Sequence, residues 1–398
     1  MKINGKDYKV NLLILSMESE VDSTLTTVET LLETVANNVI ISVLLNGGKN
    51  PRLKQLLSSI DCIKYYESPQ NLGVAGGRNF LLDRIECKSS DIVMILDNDV
   101  VPPQDYIKSL ATFLVKQKDA GVVGAAAADI SYFPYELIKH YGERGRFQNR
   151  IFKLKSSYIK LNVMKDLREE RLFHIGVHPN YYFAYFSIWP RIYLILSTLL
   201  VLFRIRMAAF SPVLRANRKY LEFIRNGADK YNVSNVAGCS QAFRRRLVDE
   251  IGYLDEVFNP YGYEDVDFCI RAIKAGYKNY IDTNTWLYHG TDARHGERDP
   301  DKALENNFRG LTLLAWSVLN NPIRHKFTLF KLIMIDSLFD LLREPRHTLK
   351  RIKLRSSGFQ KGIQSINEKR RKVLESRINQ RREGDSARLS KRYILSKD

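Results

Sequence analysis

The sequence predicts an α/β fold around a mostly parallel sheet, and three features of its first third predict it. Short apolar runs alternate with stretches whose leucines and valines recur at helical spacing. The runs themselves carry no polar interruption, as expected of strands that helices cover on both faces. Two of them end in Asn46-Gly47-Gly48 and Asp97-Asn98-Asp99. Such sheets bind ligands beyond the carboxyl ends of their strands, where these polar groups fall.

Taken in order, residues 10–15 form the first predicted strand and residues 23–35 the helix after it. A second strand covers 39–45, rich in branched residues, and a helix covers 51–58. A strand over 62–66, a helix over 77–85 and a buried strand over 92–96 complete this half. Residues 131–235 break the alternation with tyrosine, phenylalanine and arginine, and we read them as an insertion. Inside it, 192–203 is an unbroken apolar run of 12 residues behind Pro190, which interrupts a helix. A spanning helix needs roughly 20 residues. Two readings remain: an interfacial segment with Arg191, Arg204 and Arg206 at lipid headgroups, or a helix packed on the main domain.

After a motif-rich segment from 238 to 290, helices are predicted over 303–319 and 326–342, separated by Asn320-Asn321-Pro322. The second has an apolar face of Phe327, Phe330, Ile333, Met334, Leu338 and Leu341, and runs into a basic tail. The chain holds 62 Lys and Arg against 44 Asp and Glu, a net +18, of which residues 343–398 carry +12. Charge placed this way attracts a polyanionic surface, and an amphipathic helix followed by basic residues suits an anionic membrane. A nucleic-acid face would interleave basic and aromatic residues on folded structure. Here the basic residues crowd into a tail poor in aromatics, so no nucleic-acid partner is expected. Cys62, Cys87, Cys239 and Cys269 lack paired spacing, and the N-terminus lacks an apolar leader. Both features predict a cytosolic protein with reduced thiols.

Three constellations carry chemistry. In Asp97-Asn98-Asp99, two carboxylates at a strand mouth repel unless compensated. They form either an acidic turn or a seat for Mg2+ or Mn2+ shared with substrate phosphates. Residues 71–79, Asn-Leu-Gly-Val-Ala-Gly-Gly-Arg-Asn, are not the dinucleotide pattern. They read either as a glycine turn capping a helix or as an approach for phosphate, with Arg78 adding charge-assisted bonds. Glu264-Asp265 opens a helix, where an acid favours the helix dipole or serves as a general base. Asp267 and Arg271 have the spacing of an i,i+4 ion pair. His289 closes an apolar strand over 284–288 and, on its own, reads as a surface histidine.

In this order and spacing, the motifs resemble the family 2 inverting glycosyltransferases with the glycosyltransferase-A fold, from about residue 10 to 290 with the insertion excepted. The resemblance extends to the rhamnosyl- and galactofuranosyl-transferase-like subgroup. It implies one Rossmann-like domain: a nucleotide-sugar-binding half over 1–130, the insertion over 131–235, an acceptor-binding and catalytic half over 236–300, and amphipathic helices with a basic tail over 301–398. Asp97 would face the ribose, Asp99 would hold the metal and His289 would complete its shell, with Mn2+ or Mg2+ as cofactor. Asp265, with Glu264 beside it, would supply the catalytic base. Ser16, Glu18, Asn46, Gly73, Arg78, Asp97, Asn98 and Gly238 would line the donor site.

The sequence departs from the family pattern in two places. Leu45-Asn46-Gly47 stands where an Asp usually reads the base, and Ser16-Met17-Glu18-Ser19 replaces the usual Pro-Thr-Tyr-Asn. The amide oxygen of Asn46 accepts from a pyrimidine N–H in principle, which favours a uridine or thymidine diphosphate sugar. The Q-x-x-R-W pattern of processive synthases is missing: Gln241 is followed by Arg244 and Arg245 without a Trp, which implies transfer of single sugars. The expected partners are a glycan or lipid-linked acceptor and the cytosolic face of an anionic membrane. A nucleotidyltransferase is the rival enzyme class, and it leaves Glu264-Asp265 and His289 without a role.

Overall fold

The computed structural model describes residues 1–33, 38–89, 91–130, 230–233, 235–290, 299–319 and 345–395, with 329, 330, 333, 334, 336–338 and 341. The readings made for 192–203 and its flanking arginines lie outside these residues. After a short hairpin (β1 Lys2–Ile3, β2 Lys6–Asp7), the chain runs β3 Val10–Ser16, α1 Val21–Leu32, β4 Val39–Asn46, α2 Pro51–Ser58 and β5 Ile63–Ser68. It continues through α3 Gly73–Leu82, β6 Ile92–Asp97, β7 Val100–Val101, α4 Tyr106–Lys116 and β8 Ala120–Ile130. Beyond the insertion come β9 Lys230–Val233, β10 Ser240–Arg244, α5 Arg245–Ile251, α6 Glu264–Lys274, β11 Lys278–Gly290, α7 Pro300–Leu319 and α8 Thr348–Leu395.

Nine strands form one sheet in the order β5-β4-β3-β6-β10-β8-β11-β7, with β9 also on β11. β3, β4, β5 and β6 are parallel neighbours, and β8 and β11 are parallel to each other. β10 lies antiparallel between β6 and β8. Side chains alternate across a strand. Val10, Leu12 and Ile14 of β3 therefore enter one core while Leu13 enters another, and β6 divides Ile92, Met94 and Leu96 from Val93 and Ile95 in the same way. Both faces are dry, which is why the sequence reads as continuous apolar runs. The sheet begins again at Lys230, within the last six residues of the stretch read as an insertion.

A third core anchors the C-terminal helices. Val266 and Ile270 of α6 pack with Phe308, Leu311 and Leu314 of α7, Leu329 and Ile333, and Ile366 of α8. Phe359 and Ile363 lie against the same cluster. Lys361 Nζ sits 2.7 Å from Glu305 Oε2, and Lys350 and Lys369 pair with Asp301 and Asp255. The basic extension is thus, through Ile366, part of the packed fold rather than an appendage. Its helical positions alternate apolar contacts with Lys and Arg, a pattern that composition averages away. Among the described residues, no helix is long and apolar enough to cross a membrane.

Candidate active site

The strand-end acids and the distant histidine meet because of sheet register. β7 pairs antiparallel with β11, setting Val101 opposite Tyr288 and Val100 opposite His289. His289 is thereby fixed beside the turn that precedes β7. Its Nε2 lies 3.6 Å from Asp97 Oδ2 and 3.5 Å from Asp99 Oδ1. One ligand atom from each of the three residues falls within 4.8 Å of the others. Two carboxylates with one imidazole suit a hard divalent cation such as Mn2+ or Mg2+, so the donor set fits the expected metal. Asp99 is buried, which increases the cost of its charge unless a cation or hydrogen bonds compensate it.

Asn98, between the two acids, turns inward. Its Nδ2 donates to Glu20 Oε2 at 2.9 Å and Thr24 Oγ1 at 3.1 Å. Thr24 Oγ1 lies 2.6 Å from the buried Ser16 hydroxyl. Asn98 and Ser16 thus bind the acidic turn to the first loop. Glu18 is exposed on that loop, and a Cβ built on Gly48 would lie 3.2 Å from its Oε2.

A buried arginine joins the metal side to the acidic pair. Arg78 Nη2 donates to Asp97 Oδ1 at 3.0 Å and to the Gly238 carbonyl at 3.2 Å, and Nη1 lies 3.2 Å from Glu264 Oε1. The amide of Gly238 in turn donates to Asp265 Oδ2 at 2.9 Å. Any larger residue at 238 would place its Cβ within 3.3 Å of both Arg78 and Asp265. Gly238 is therefore the point where backbone passes between the guanidinium and the second carboxylate.

The paired acids differ in freedom. Glu264 is buried, and its second oxygen accepts from the Gly262 amide at 2.8 Å. Burial, then the charge of Asp265, push its carboxyl up to about 7, against the opposing pull of Arg78. Asp265 is half-buried, and its Oδ1 accepts from the Val266 amide at 2.8 Å. Burial raises its carboxyl too, while Arg78 and the amides of Val266 and Gly238 pull it down. Asp267 faces away from both: Arg271 Nε lies 2.7 Å from its Oδ2 and Ser317 Oγ 2.9 Å from its Oδ1.

The glycine-rich turn is closed by the protein itself. α3 starts at Gly73, four residues ahead of the prediction, because Asn259 caps it from across the fold. Asn259 Oδ1 accepts from the Ala75 and Gly76 amides at 3.1 and 3.4 Å, and its Nδ2 donates to the Leu72 carbonyl at 2.8 Å. The Pro260 carbonyl takes the Val74 amide at 2.8 Å. Gly73 has φ +74°, and a Cβ there would meet Asn259 at 2.4 Å. These amides are therefore satisfied internally, and Gly73 and Arg78 take part in the architecture of the site. Asn46 is held in the same way: it is buried, its Oδ1 accepts from Leu72 N–H at 2.8 Å, and its Nδ2 donates to Asn71 Oδ1 and the Gly73 carbonyl.

Sequence reasoning missed the residues that hold the loop between these parts. Asn79 brackets Leu254 through both its amide atoms and also donates to Glu256 at 2.9 Å. Arg309 of α7 donates to the Asn259 and Val257 carbonyls at 2.6 and 2.7 Å, and Asn306 to the Tyr261 carbonyl at 2.7 Å. The only sequence signal was their polarity on an otherwise amphipathic helix.

Residues 18–177 match the family described as "Glycosyl transferase family 2". That span includes the turn at 71–79 and Asp97-Asn98-Asp99, enters the insertion, and ends before Glu264 and His289. No curated protein matches the chain. Among solved structures, the mannosyltransferase PcManGT from Pyrobaculum calidifontis, in complex with GDP-Man and Mn2+, is similar over 91% of this chain and 89% of its own, at 10% identity and TM-score 0.47. S. aureus TarS 1-349 is similar over 91% and 82%, at 12% identity and TM-score 0.46. GalNAc-T7 with UDP, GalNAc and Mn2+ gives 11% identity and TM-score 0.45 over 77% of this chain, which spans about half, 48%, of that protein. At these values the likenesses say nothing about what this chain acts on.

Proposed function

We propose that this protein is a metal-dependent, inverting glycosyltransferase that moves one sugar from a nucleoside diphosphate sugar to an acceptor hydroxyl. One observation carries the reading: a three-residue ligand group, Asp97, Asp99 and His289, is joined through Arg78 and Gly238 to a half-buried carboxylate, Asp265. The glycosyl transferase match over 18–177 supports the same class. Asp99 and His289, with Asp97, would hold Mn2+ or Mg2+, which when bound offsets negative charge on the leaving diphosphate.

The chain's own residues account for the rest of the chemistry. Asp265 takes the proton from the acceptor hydroxyl as that oxygen attacks the anomeric carbon from the face opposite the departing diphosphate. The C–O bond to the acceptor forms as the bond to the diphosphate breaks, and the anomeric configuration inverts. Glu264 is the weaker candidate for the base because it is buried and ion-paired with Arg78, whereas Asp265 is half-buried and held only by backbone amides. Arg78 keeps the two carboxylate groups at fixed separation without cancelling either. With the Asn46 amide engaged by Leu72, the preference for a uridine or thymidine base needs another donor-side group, and the exposed Glu18 is the nearest candidate of the predicted set. A lipid-linked or glycan acceptor at the cytosolic face of an anionic membrane suits the net charge.

The test is product analysis with purified protein, Mn2+, a panel of nucleotide sugars and simple acceptors. Acceptor-dependent release of nucleoside diphosphate, with inverted linkage by NMR, is the expected result. Pyrophosphate formed from a nucleoside triphosphate and a sugar phosphate would instead identify a nucleotidyltransferase.

A further inference from the structure

Eight large apolar side chains of the described residues are exposed, and five of them fall within twenty positions. Phe330, Met334, Leu338 and Leu341 are 61%, 55%, 49% and 54% exposed, and Leu349 is 76% exposed. The first four recur at intervals of four, four and three, the spacing of one helical face. On the adjacent helical face Leu329 and Ile333 are buried in the third core, and Ser337 is buried beside them. The segment is therefore amphipathic in two senses, with one apolar side satisfied by the protein and another directed away from it. Exposed apolar residues clustered to this degree mark an interaction surface.

The charges beside the stripe indicate the partner. Arg346, Lys350 and Lys353 are exposed just downstream, and Arg351 is half-buried beside them. Between 343 and 355 there are six Lys and Arg and one acid, Glu344. A protein partner or second copy gains little from so basic a rim, because like charges would face each other across a self-association contact. An anionic bilayer gains from both parts: apolar side chains enter the acyl boundary while Lys and Arg meet the headgroups.

We infer that Phe330, Met334, Leu338, Leu341 and Leu349, rimmed by Arg346, Lys350 and Lys353, form the surface by which this protein lies on an anionic lipid membrane. This moves the membrane contact from the charge of the whole tail to one amphipathic patch. It rests on the proposed function only for why the enzyme goes to a membrane, since binding is measured without any sugar chemistry.

The experiment uses the full chain and vesicles of phosphatidylcholine with or without phosphatidylglycerol, read by co-flotation. The parent should bind anionic vesicles, less so as salt rises. Replacing Phe330, Met334, Leu338 and Leu341 together by Gln should weaken binding roughly a hundredfold or more, since four apolar side chains lose their burial. Arg346→Glu with Lys353→Glu should weaken it less and reduce its salt dependence. Near-parental circular dichroism and melting temperature identify variants that fold, and Phe330→Trp provides a readout that needs no loss of function. Acyl-brominated lipid should quench it beyond the parent's own three tryptophans. The inference is overturned if the Gln variant floats like the parent, if the parent ignores anionic vesicles, or if bromolipid leaves Phe330→Trp emission unchanged. It is also overturned if light scattering shows a parental dimer that the Gln variant dissolves, which makes the stripe an interface between copies. A parent that releases nucleoside diphosphate but ignores anionic vesicles breaks this inference alone, and a parent that binds vesicles but releases no nucleoside diphosphate breaks the functional reading alone.

Discussion

Two turns at the ends of parallel strands, one after β5 and one after β6, look equally suited to a ligand, and the fold treats them differently. The turn before α3 presents a run of backbone amides at a helix N-terminus, the usual anion seat. Asn259, Pro260, Asn46 and Asn71 accept from those amides, so the turn becomes a joint between the two halves of the domain. The turn after β6 presents two carboxylates that repel each other; Arg78 pairs with one oxygen of Asp97, and the fold brings the His289 imidazole to 3.5–3.6 Å from both acids, where the three could share a cation. The difference teaches that a strand-end turn is ready for a ligand only if the rest of the chain leaves its polar groups to the outside. Glycines and acids in sequence do not settle that.

The largest expected effect tests the open turn. Asp99→Asn keeps the shape of a buried side chain but removes an anionic ligand, and metal-stimulated turnover should fall by about three orders of magnitude or more. His289→Ala should shift the metal titration to higher concentration with acceptor KM nearly constant. Parental metal titrations for both variants would return the acids to an ordinary turn. Next in size is Asp265→Asn, which should lower kcat by about two to four orders of magnitude while nucleotide affinity holds. A collapse of nucleotide affinity along with rate would assign Asp265 to the donor instead.

The closed turn should respond in stability, not in affinity. Asn259→Ala leaves two or three buried amides and a carbonyl without partners, and should cost about 1–3 kcal/mol by denaturant titration. Nucleotide binding, measured by calorimetry and corrected for the folded fraction, should remain within about twofold. A large drop in phosphate or nucleotide affinity would show that the turn binds the donor after all.

The smallest effect is a pH dependence from Glu264. Its folded carboxyl titrates near 7, above an unfolded value near 4.5, so the folded state holds the extra proton between those values. Stability from this group therefore falls as pH rises through that window and is level above it. With a chelator present, the melting temperature of Glu264→Gln relative to the parent should rise between pH 5 and 7 and then flatten. A parallel pair of pH profiles would mean that Glu264 stays ionised at Arg78 throughout.

The sheet was largely legible because dry parallel strands write themselves as apolar runs, and α2 falls on the predicted residues, with Asn50 capping Leu53 at 2.9 Å. Asp97 and Asp99 were legible for the same reason, as polar residues at the mouth of such a run. His289 was not legible locally. Its place depends on β7 meeting β11, a pairing between residues 100 and 289 that no short window contains, and only resemblance pointed to it. The start of α3 was missed because glycines are poor helix formers, and a cap 184 residues away overrides that preference. Asn259 itself gave no signal, since Asn before Pro in a loop is common turn chemistry. The helical basic extension was legible, but net charge over 343–398 conceals the apolar positions Phe359, Ile363 and Ile366 that join the third core.

The place of β10 has a consequence for the order in which the protein comes into being. The strand made of Ser240–Arg244 occupies a slot between β6, at 92–97, and β8, at 120–130. A chain emerging from its N-terminus therefore produces both walls of the slot more than a hundred residues before the piece that fills it. The half formed by β3 to β6 has partners at once, whereas β8 waits for β10 and β11, and such distant pairings form late. On this hypothesis a nascent chain halted at residue 238 shows β3–β6 amides protected from exchange while those of 120–125 exchange freely. Equal protection on both sides of the gap would refute it. The reaction centre spans that seam, with Asp97 on one bank and Gly238, Asp265 and His289 made afterwards, so the protein is inert for most of its own synthesis.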